Sequence, residues 1–180
     1  RRPFVWIKRQ ATPQEVAAVK KLGLKGIGFL AEYSRFYPNT TLAAQVLGFT
    51  GIDGQGLEGV ESFYDQDLKG VEKRMTVVRD ALGRGFDADR LVAAGQTGHN
   101  LVLTIDRQIQ FIAEQALTEA VTGYKALSGM ALVMDPGAGA VLAMAHYPIF
   151  NPNAYAKSER STWRNRAIAD AFEPGSTMKI

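Results

Sequence analysis

Ser176 and Lys179 stand three residues apart in the segment Phe172-Glu173-Pro174-Gly175-Ser176-Thr177-Met178-Lys179-Ile180. Pro174-Gly175 marks a loop, and the residues after such a break can open a helix. Positions three apart on a helix share a face, so the hydroxyl and the amine would point the same way. A serine is a weak nucleophile at neutral pH and needs a base within hydrogen-bond reach. A lysine that is desolvated, and so neutral part of the time, can serve. The start of a helix adds free N–H groups and the positive end of a dipole, both suited to a developing oxyanion. The pattern therefore describes an activated serine nucleophile. Spacing alone is weak support, because Ser-x-x-Lys arises by chance on the order of once in every one or two chains of this length. Thr122-x-x-Lys125 is a near-copy inside a helical stretch, and a plain polar tail is the competing reading.

The elements that must position this pair are legible in part. Thr12-Pro13 is an N-cap and first-turn signal, and Val16, Val19 and Leu22 trace a helical face up to Gly23. Gly26 to Tyr33 reads as extended, Leu42 to Leu47 as a short helix and Leu57 to Leu68 as a longer one. Met75 to Val78 reads as a strand followed by a Gly-rich turn over Arg79 to Phe86. The small, polar run Ala93 to Gly98 is the expected domain boundary, dividing the chain into 1–98 and 99–180. Beyond it, Leu101 to Ile105 reads as a strand. Asp106 caps a helix to about Thr122, with Ile109, Ile112, Ala116 and Ala120 on one face. Gly129 to Met134 and Ala140 to Ala145 flank Asp135-Pro136-Gly137-Ala138-Gly139, a hairpin loop. Strand, helix and hairpin in this order predict an α+β fold, a mainly antiparallel sheet with helices packed on it.

Composition narrows the chemistry. No cysteine occurs, which excludes disulfides and thiolate metal sites. His99 and His146 lie far apart and form no ligand motif, so both read as incidental. A net charge of +3 is too small to argue for nucleic acid. The early cations Arg1, Arg2, Lys8, Arg9, Lys20, Lys21 and Lys25 read as a solvated face, with docking near an anionic membrane as the alternative. The apolar run Gly129 to Phe150 is interrupted by Asp135-Pro136-Gly137 and is not a membrane span. The sequence opens and closes in mid-pattern and is expected to be an internal piece of a longer protein.

Gly54-Gln55-Gly56-Leu57-Glu58-Gly59 satisfies the glycine spacing of dinucleotide sites, with Asp80 about 20 residues on. Two features argue against a nucleotide. Glu58 and Glu61 put carboxylates where a pyrophosphate needs positive potential. Asp53-Gly54 also inserts a turn before the glycines. The expected role of these glycines is close backbone packing and turns of positive φ.

Read together, six segments in register resemble a class B penicillin-binding protein of the septal, cell-division type. They are Arg35-Phe36-Tyr37-Pro38; Gly56-Leu57-Glu58-Gly59-Val60-Glu61; Thr104 to Gln110; Met134-Asp135-Pro136 with Val141 to Ala145; Phe150-Asn151-Pro152-Asn153 with Arg164-Asn165-Arg166-Ala167; and Phe172 to Lys179. The septal subtype rests on Leu47 to Gly54 running directly into the second element, and on Arg79 to Arg84. Thr40 departs from the pattern, since the family often has glycine there.

The resemblance implies a non-catalytic pedestal over 1–98 and the start of a transpeptidase domain over 99–180. It implies that Ser176 attacks the D-Ala–D-Ala carbonyl of a peptidoglycan stem peptide, with Lys179 as general base and no cofactor or metal. β-Lactams would acylate the same serine. Further implied partners are a glycan polymerase and division proteins, and a membrane anchor outside these residues would hold this part on the periplasmic side of the inner membrane. The family's Ser-x-Asn and Lys-Thr-Gly motifs are expected downstream, so these 180 residues alone are expected to be inactive. Asn165 reads as support near the site or as a plain loop residue. Arg35, Glu58 and Glu61 read either as an Arg–carboxylate pairing within the pedestal or as separate solvated charges. Rival readings are a serine β-lactamase, a β-lactam sensor and a non-catalytic module that docks division partners.

Overall fold

The computed structural model describes residues 4–70, 97–171 and 173–178. The strand expected at Met75 to Val78, the turn at Arg79 to Phe86 and most of the expected boundary lie outside these residues, as does Lys179.

Helix α1 (Pro13–Lys21) starts where its cap predicts. Thr12 Oγ1 accepts from the Glu15 N–H at 3.3 Å, and the Glu15 carboxylate accepts the Thr12 N–H at 3.0 Å. This reciprocal pairing satisfies donors that a helix start leaves open. Lys8 Nζ lies 2.5 Å from Glu15 and, with the Thr12 backbone, holds that carboxyl below its ordinary range. No residue of α1 is buried, and Leu22 is exposed, so the expected face meets no core. Residues 26–33 form no strand; they are tied back by Glu32, which accepts from Arg9 and from the Gln10 N–H at 2.7 Å.

Three short helices follow: α2 (Ala44–Leu47), α3 (Gly59–Phe63) and α4 (Asp65–Lys69). The single helix expected over Leu57 to Leu68 is broken at Tyr64, whose φ of −106° and ψ of 24° leave the helical region. The break frees the Asp65 carboxylate to accept the Gly56 N–H at 2.6 Å, a bond a continuous helix would not place. The glycine-rich turn packs against the preceding segment. Leu57 donates to the Phe49 carbonyl at 2.9 Å. A Cβ on Gly59 would sit 2.6 Å from both the Gly48 nitrogen and the Val46 oxygen. With φ at +59°, position 59 requires glycine for space and for conformation together.

Thr40, the departure from the family pattern, adopts φ +52° in the turn closed by Thr40 N–H to Tyr37 C=O at 3.0 Å. The left-handed conformation is therefore kept without the glycine that suits it, and a β-branched residue there is strained. Thr40→Gly is expected to raise stability by about 1 kcal/mol, less the entropy cost of a new glycine, as read by chemical denaturation.

Helix α5 (Arg107–Gly123) is capped by Asp106, whose Oδ1 accepts from Gln108 and Ile109 at 2.8 and 2.9 Å. It lies on an antiparallel hairpin of β1 (Gly129–Met134) and β2 (Val141–Tyr147), paired from Gly129↔Tyr147 to Met134↔Val141 with an irregularity at Val133/Met134. The Asp135 carboxylate accepts the Gly137 N–H at 2.8 Å and orders the intervening loop. A Cβ on Gly129 would stand 2.7 Å from Val121 and 2.9 Å from Leu117, so the glycine lets α5 approach β1 closely.

Two expectations fail here. Residues 101–105 form no strand: the Asp106 N–H bonds to Leu142 C=O of β2 at 2.8 Å, and the other bond to that strand is from a side chain, the Thr104 hydroxyl donating to Val141 C=O at 2.6 Å. One backbone bond does not make a ladder. The buried face of α5 is also not the expected one. Ile112 is 64% exposed, while Gln110 is fully buried. Gln110 takes that place because its carboxamide pairs with the Met144 backbone of β2. Its Oε1 accepts the Met144 N–H at 2.7 Å, and its Nε2 donates to the Met144 C=O at 3.1 Å and to Glu114 at 2.7 Å.

After β2 come short 3-10 segments at Pro152–Lys157 and Arg160–Thr162, helix α6 (Arg166–Ala169) and a 3-10 turn at Gly175–Met178. The main core joins residues 37–49 to residues 150–163. Tyr37, Ala44 and Phe49 from the first part meet Phe150, with Tyr155 and Trp163 packed against them. Phe49 stacks on Tyr155 at 4.1 Å between centroids and meets Trp163 and Phe150 edge-on at 5.0 and 5.8 Å. Polar clasps surround it. The Asn153 carboxamide pairs with both the N–H and the C=O of Tyr37, and Gln45 Nε2 donates to the carbonyls of Pro148 and Thr162.

Candidate active site

Ser176 is exposed on the 3-10 turn Gly175–Met178. Gly175 enters that turn with φ +58°, a conformation glycine adopts without strain. The helix expected after Pro174-Gly175 is thus a single tight turn in the described residues, where a 3-10 turn still leaves its first N–H groups without internal partners. Lys179 lies outside the described residues, so the structure places the serine and not the pair.

The segment leading to Ser176 is fixed from both sides. Arg164 Nη2 donates to the Ala169 carbonyl at 2.7 Å and lies 2.8 Å from Asp170. Arg166 Nη1 reaches Ser128 Oγ at 3.1 Å, next to β1. Asn165 is half-buried, with its Nδ2 3.2 Å from Met144 Sδ of β2. That places Asn165 between the hairpin and α6, a supporting position and not a free loop.

His146 is the residue that sequence reasoning missed. It sits on β2, only 5% exposed, with Nε2 accepting from the Ala167 N–H at 3.4 Å. The strand expected over Ala140 to Ala145 runs on to Tyr147, which puts His146 two residues from Met144 on the same face. A lone histidine gives no other signal. Burial first, and the nearby Arg166 guanidinium, lower its pKa from 6.5. The unfolded chain therefore binds more protons below pH 6.5 than the folded one does. Stability is expected to be unaffected by this group above that pH and to fall as pH drops toward the folded value. Melts of His146→Gln, which lacks the titration, should be flatter across that range.

Of the three charges in the first part, two meet. Arg35 Nε lies 2.6 Å from Glu61 Oε1, and the Tyr37 hydroxyl donates to the same oxygen at 3.3 Å. Burial, reinforced by the Glu61 charge, pushes the Tyr37 hydroxyl up to about 12. Glu58 joins no ion pair among the described residues and stands at the N-cap of α3 without a side-chain cap bond. The group is structural: it ties the Arg35-to-Tyr37 element to α3. Arg35, Glu61 and His99 also line a cavity of about 220 Å³ beside Leu101 and Leu103. Among the described residues no cluster of metal-ligating side chains occurs, and no helix is long and apolar enough to cross a membrane.

Residues 1–103 match the penicillin-binding protein dimerisation domain, and residues 129–180 match the penicillin-binding protein transpeptidase domain. The chain belongs to the penicillin-binding proteins, as the six motifs in register imply. It is 41% identical over 176 residues to the peptidoglycan D,D-transpeptidase FtsI of Escherichia coli K12, covering 98% of this chain and 30% of that protein. It is 39% identical over 179 residues to the probable peptidoglycan D,D-transpeptidase PenA of Neisseria gonorrhoeae, covering 98% and 31%. Among solved structures, penicillin binding protein 3 of Mycobacterium tuberculosis complexed with aztreonam aligns with a TM-score of 0.63 and 32% identity. That alignment covers 78% of this chain and 28% of the other. The chain thus spans about 30% of the length of the curated relatives it matches.

Proposed function

We propose that this chain is the pedestal and the opening of the catalytic domain of a septal peptidoglycan D,D-transpeptidase, divided at residues 98 and 99. The observation that carries the reading is Ser176 itself, exposed on a glycine-entered turn inside the span that matches the transpeptidase domain. Ser176 Oγ attacks the carbonyl carbon of the D-Ala–D-Ala amide of a stem peptide, and Lys179 takes its proton. The same proton then passes to the departing amine, D-Ala leaves, and an ester remains on the serine. A stem-peptide amine from a neighbouring strand attacks that ester, forms the cross-link and frees the serine. A β-lactam follows the first step and stays bound, because its ring-opened amine remains attached to the acyl group.

The protein would act on the periplasmic side of the inner membrane, with a glycan polymerase and division proteins as partners. The 180 residues contain no Ser-x-Asn or Lys-Thr-Gly motif, so this span by itself is expected to give no turnover. Intact-mass spectrometry of the complete protein after penicillin treatment tests the reading. One adduct, mapped to the peptide that carries Ser176, is the expected result. A folded complete protein that stays unmodified, or is modified elsewhere, would overturn it.

A further inference from the structure

We propose that His146 is a positioning residue for Ser176: its neutral imidazole caps α6, the helix that leads into the serine turn, and its second ring nitrogen pairs with Asn165. The role in catalysis rests on the Ser176 reading; the cap does not.

The first turn of any helix leaves N–H groups that need acceptors. Asn165 occupies the N-cap of α6 and supplies no side-chain cap bond. The acceptor comes instead from another element, as His146 Nε2 receives the Ala167 N–H at 3.4 Å. That bond requires a lone pair on Nε2, so the ring proton must sit on Nδ1. His146 Nδ1 and Asn165 Oδ1 are both buried without a satisfied hydrogen bond, one a donor in this tautomer and the other an acceptor. Against the larger effect of burial, the Met144 backbone and then the Asn165 side chain act to raise the pKa of the imidazole. Unpaired buried polar atoms are rare, and these two are complementary, a donor and an acceptor.

Burial favours the neutral ring. Arg166 is the charged group that acts on it, and it is held by Ser128 and lies 4.0 Å from Asp170. Met130 stands opposite His146 across the hairpin, and Ala143 and Ala145 turn to the other face by strand alternation. Protonation would place a hydrogen on Nε2 facing the Ala167 N–H and add a cation beside Arg166. Both effects release α6, and with it the approach to Ser176.

The test uses the complete protein with nitrogen-15-labelled histidine. The His146 ring is expected to carry its proton on Nδ1 near neutral pH and to titrate below the ordinary histidine range. A proton on Nε2, or an ordinary titration, would overturn the cap. Penicillin acylation rates are then followed between about pH 5 and 8. His146→Phe is expected to slow acylation about 10- to 100-fold, the scale of a misplaced nucleophile. His146→Gln, which keeps an acceptor, is expected to stay within about threefold and to lose the acid-side fall in rate. Equal rates in wild type and both variants, or an unchanged acid limb in His146→Gln, would overturn the positioning role. If His146→Phe does not fold, the wild-type ring signals and the His146→Gln profile decide the matter. Absence of any adduct in wild type would remove the Ser176 reading while the ring signals still judged the cap.

Discussion

Ser176→Ala is expected to abolish covalent penicillin binding by the complete protein while leaving its melting temperature nearly unchanged. The side chain is exposed on its turn, so its removal uncovers no core and breaks no hydrogen bond found among the described residues. Exposed substitutions of this kind usually fall within about 0.5 kcal/mol of neutral. The chemical loss is of another order. An alanine methyl has no lone pair with which to form the ester, and loss of a nucleophile in a comparable serine enzyme costs about a million-fold in turnover. Lys179→Ala should be less severe, because a general base contributes about 10²–10⁴-fold. Intact-mass spectra and acylation rates on the two variants separate nucleophile from base. A persistent adduct in Ser176→Ala would reject the assignment.

Phe49→Ala is expected to destabilise the protein by about 3–5 kcal/mol. Phe49 is 1% exposed and is among the largest fully buried side chains. Its ring touches Phe150, Tyr155 and Trp163, so truncation removes transfer energy and several aromatic contacts at once. The cavity cannot close easily, because the clasps at Asn153 and Gln45 hold the walls apart. Phe49→Leu should cost less than the alanine change, since it leaves a smaller void. Chemical denaturation of both variants gives the comparison; a change below about 1 kcal/mol in Phe49→Ala would show that the two parts of the chain are not held by this core.

The legible parts of this molecule are those whose cause is local. Thr12 and Asp106 announce their helices because a cap is a bond between near neighbours in sequence. The loop from Asp135 to Gly139 announces its hairpin for the same reason. What stayed hidden has its cause elsewhere in the chain. Gln110 is polar and reads as solvent-facing, and only the Met144 backbone, 34 residues away, makes burial favourable. The break at Tyr64 and the missing strand at 101–105 depend on which partners arrive in three dimensions. Ser176 is proposed from its motif, whereas His146 carries no motif and is marked only by its bond to the Ala167 N–H of α6.

The aromatic junction also sets a clock. Asn153 closes on Tyr37 across 116 residues of chain, and Gln45 closes on Thr162 across 117. At 5–20 residues per second, a ribosome needs roughly 6–23 s to deliver the second half of each clasp after the first. Until Phe150 is made Phe49 has none of the rings that pack on it, and Trp163 completes the set only after Thr162. Contacts so distant in sequence also close slowly. The emerging first part is therefore a sticky intermediate whose safe passage depends on synthesis running on through Trp163, and pauses in translation within that stretch should lower the yield of folded protein more than pauses before it.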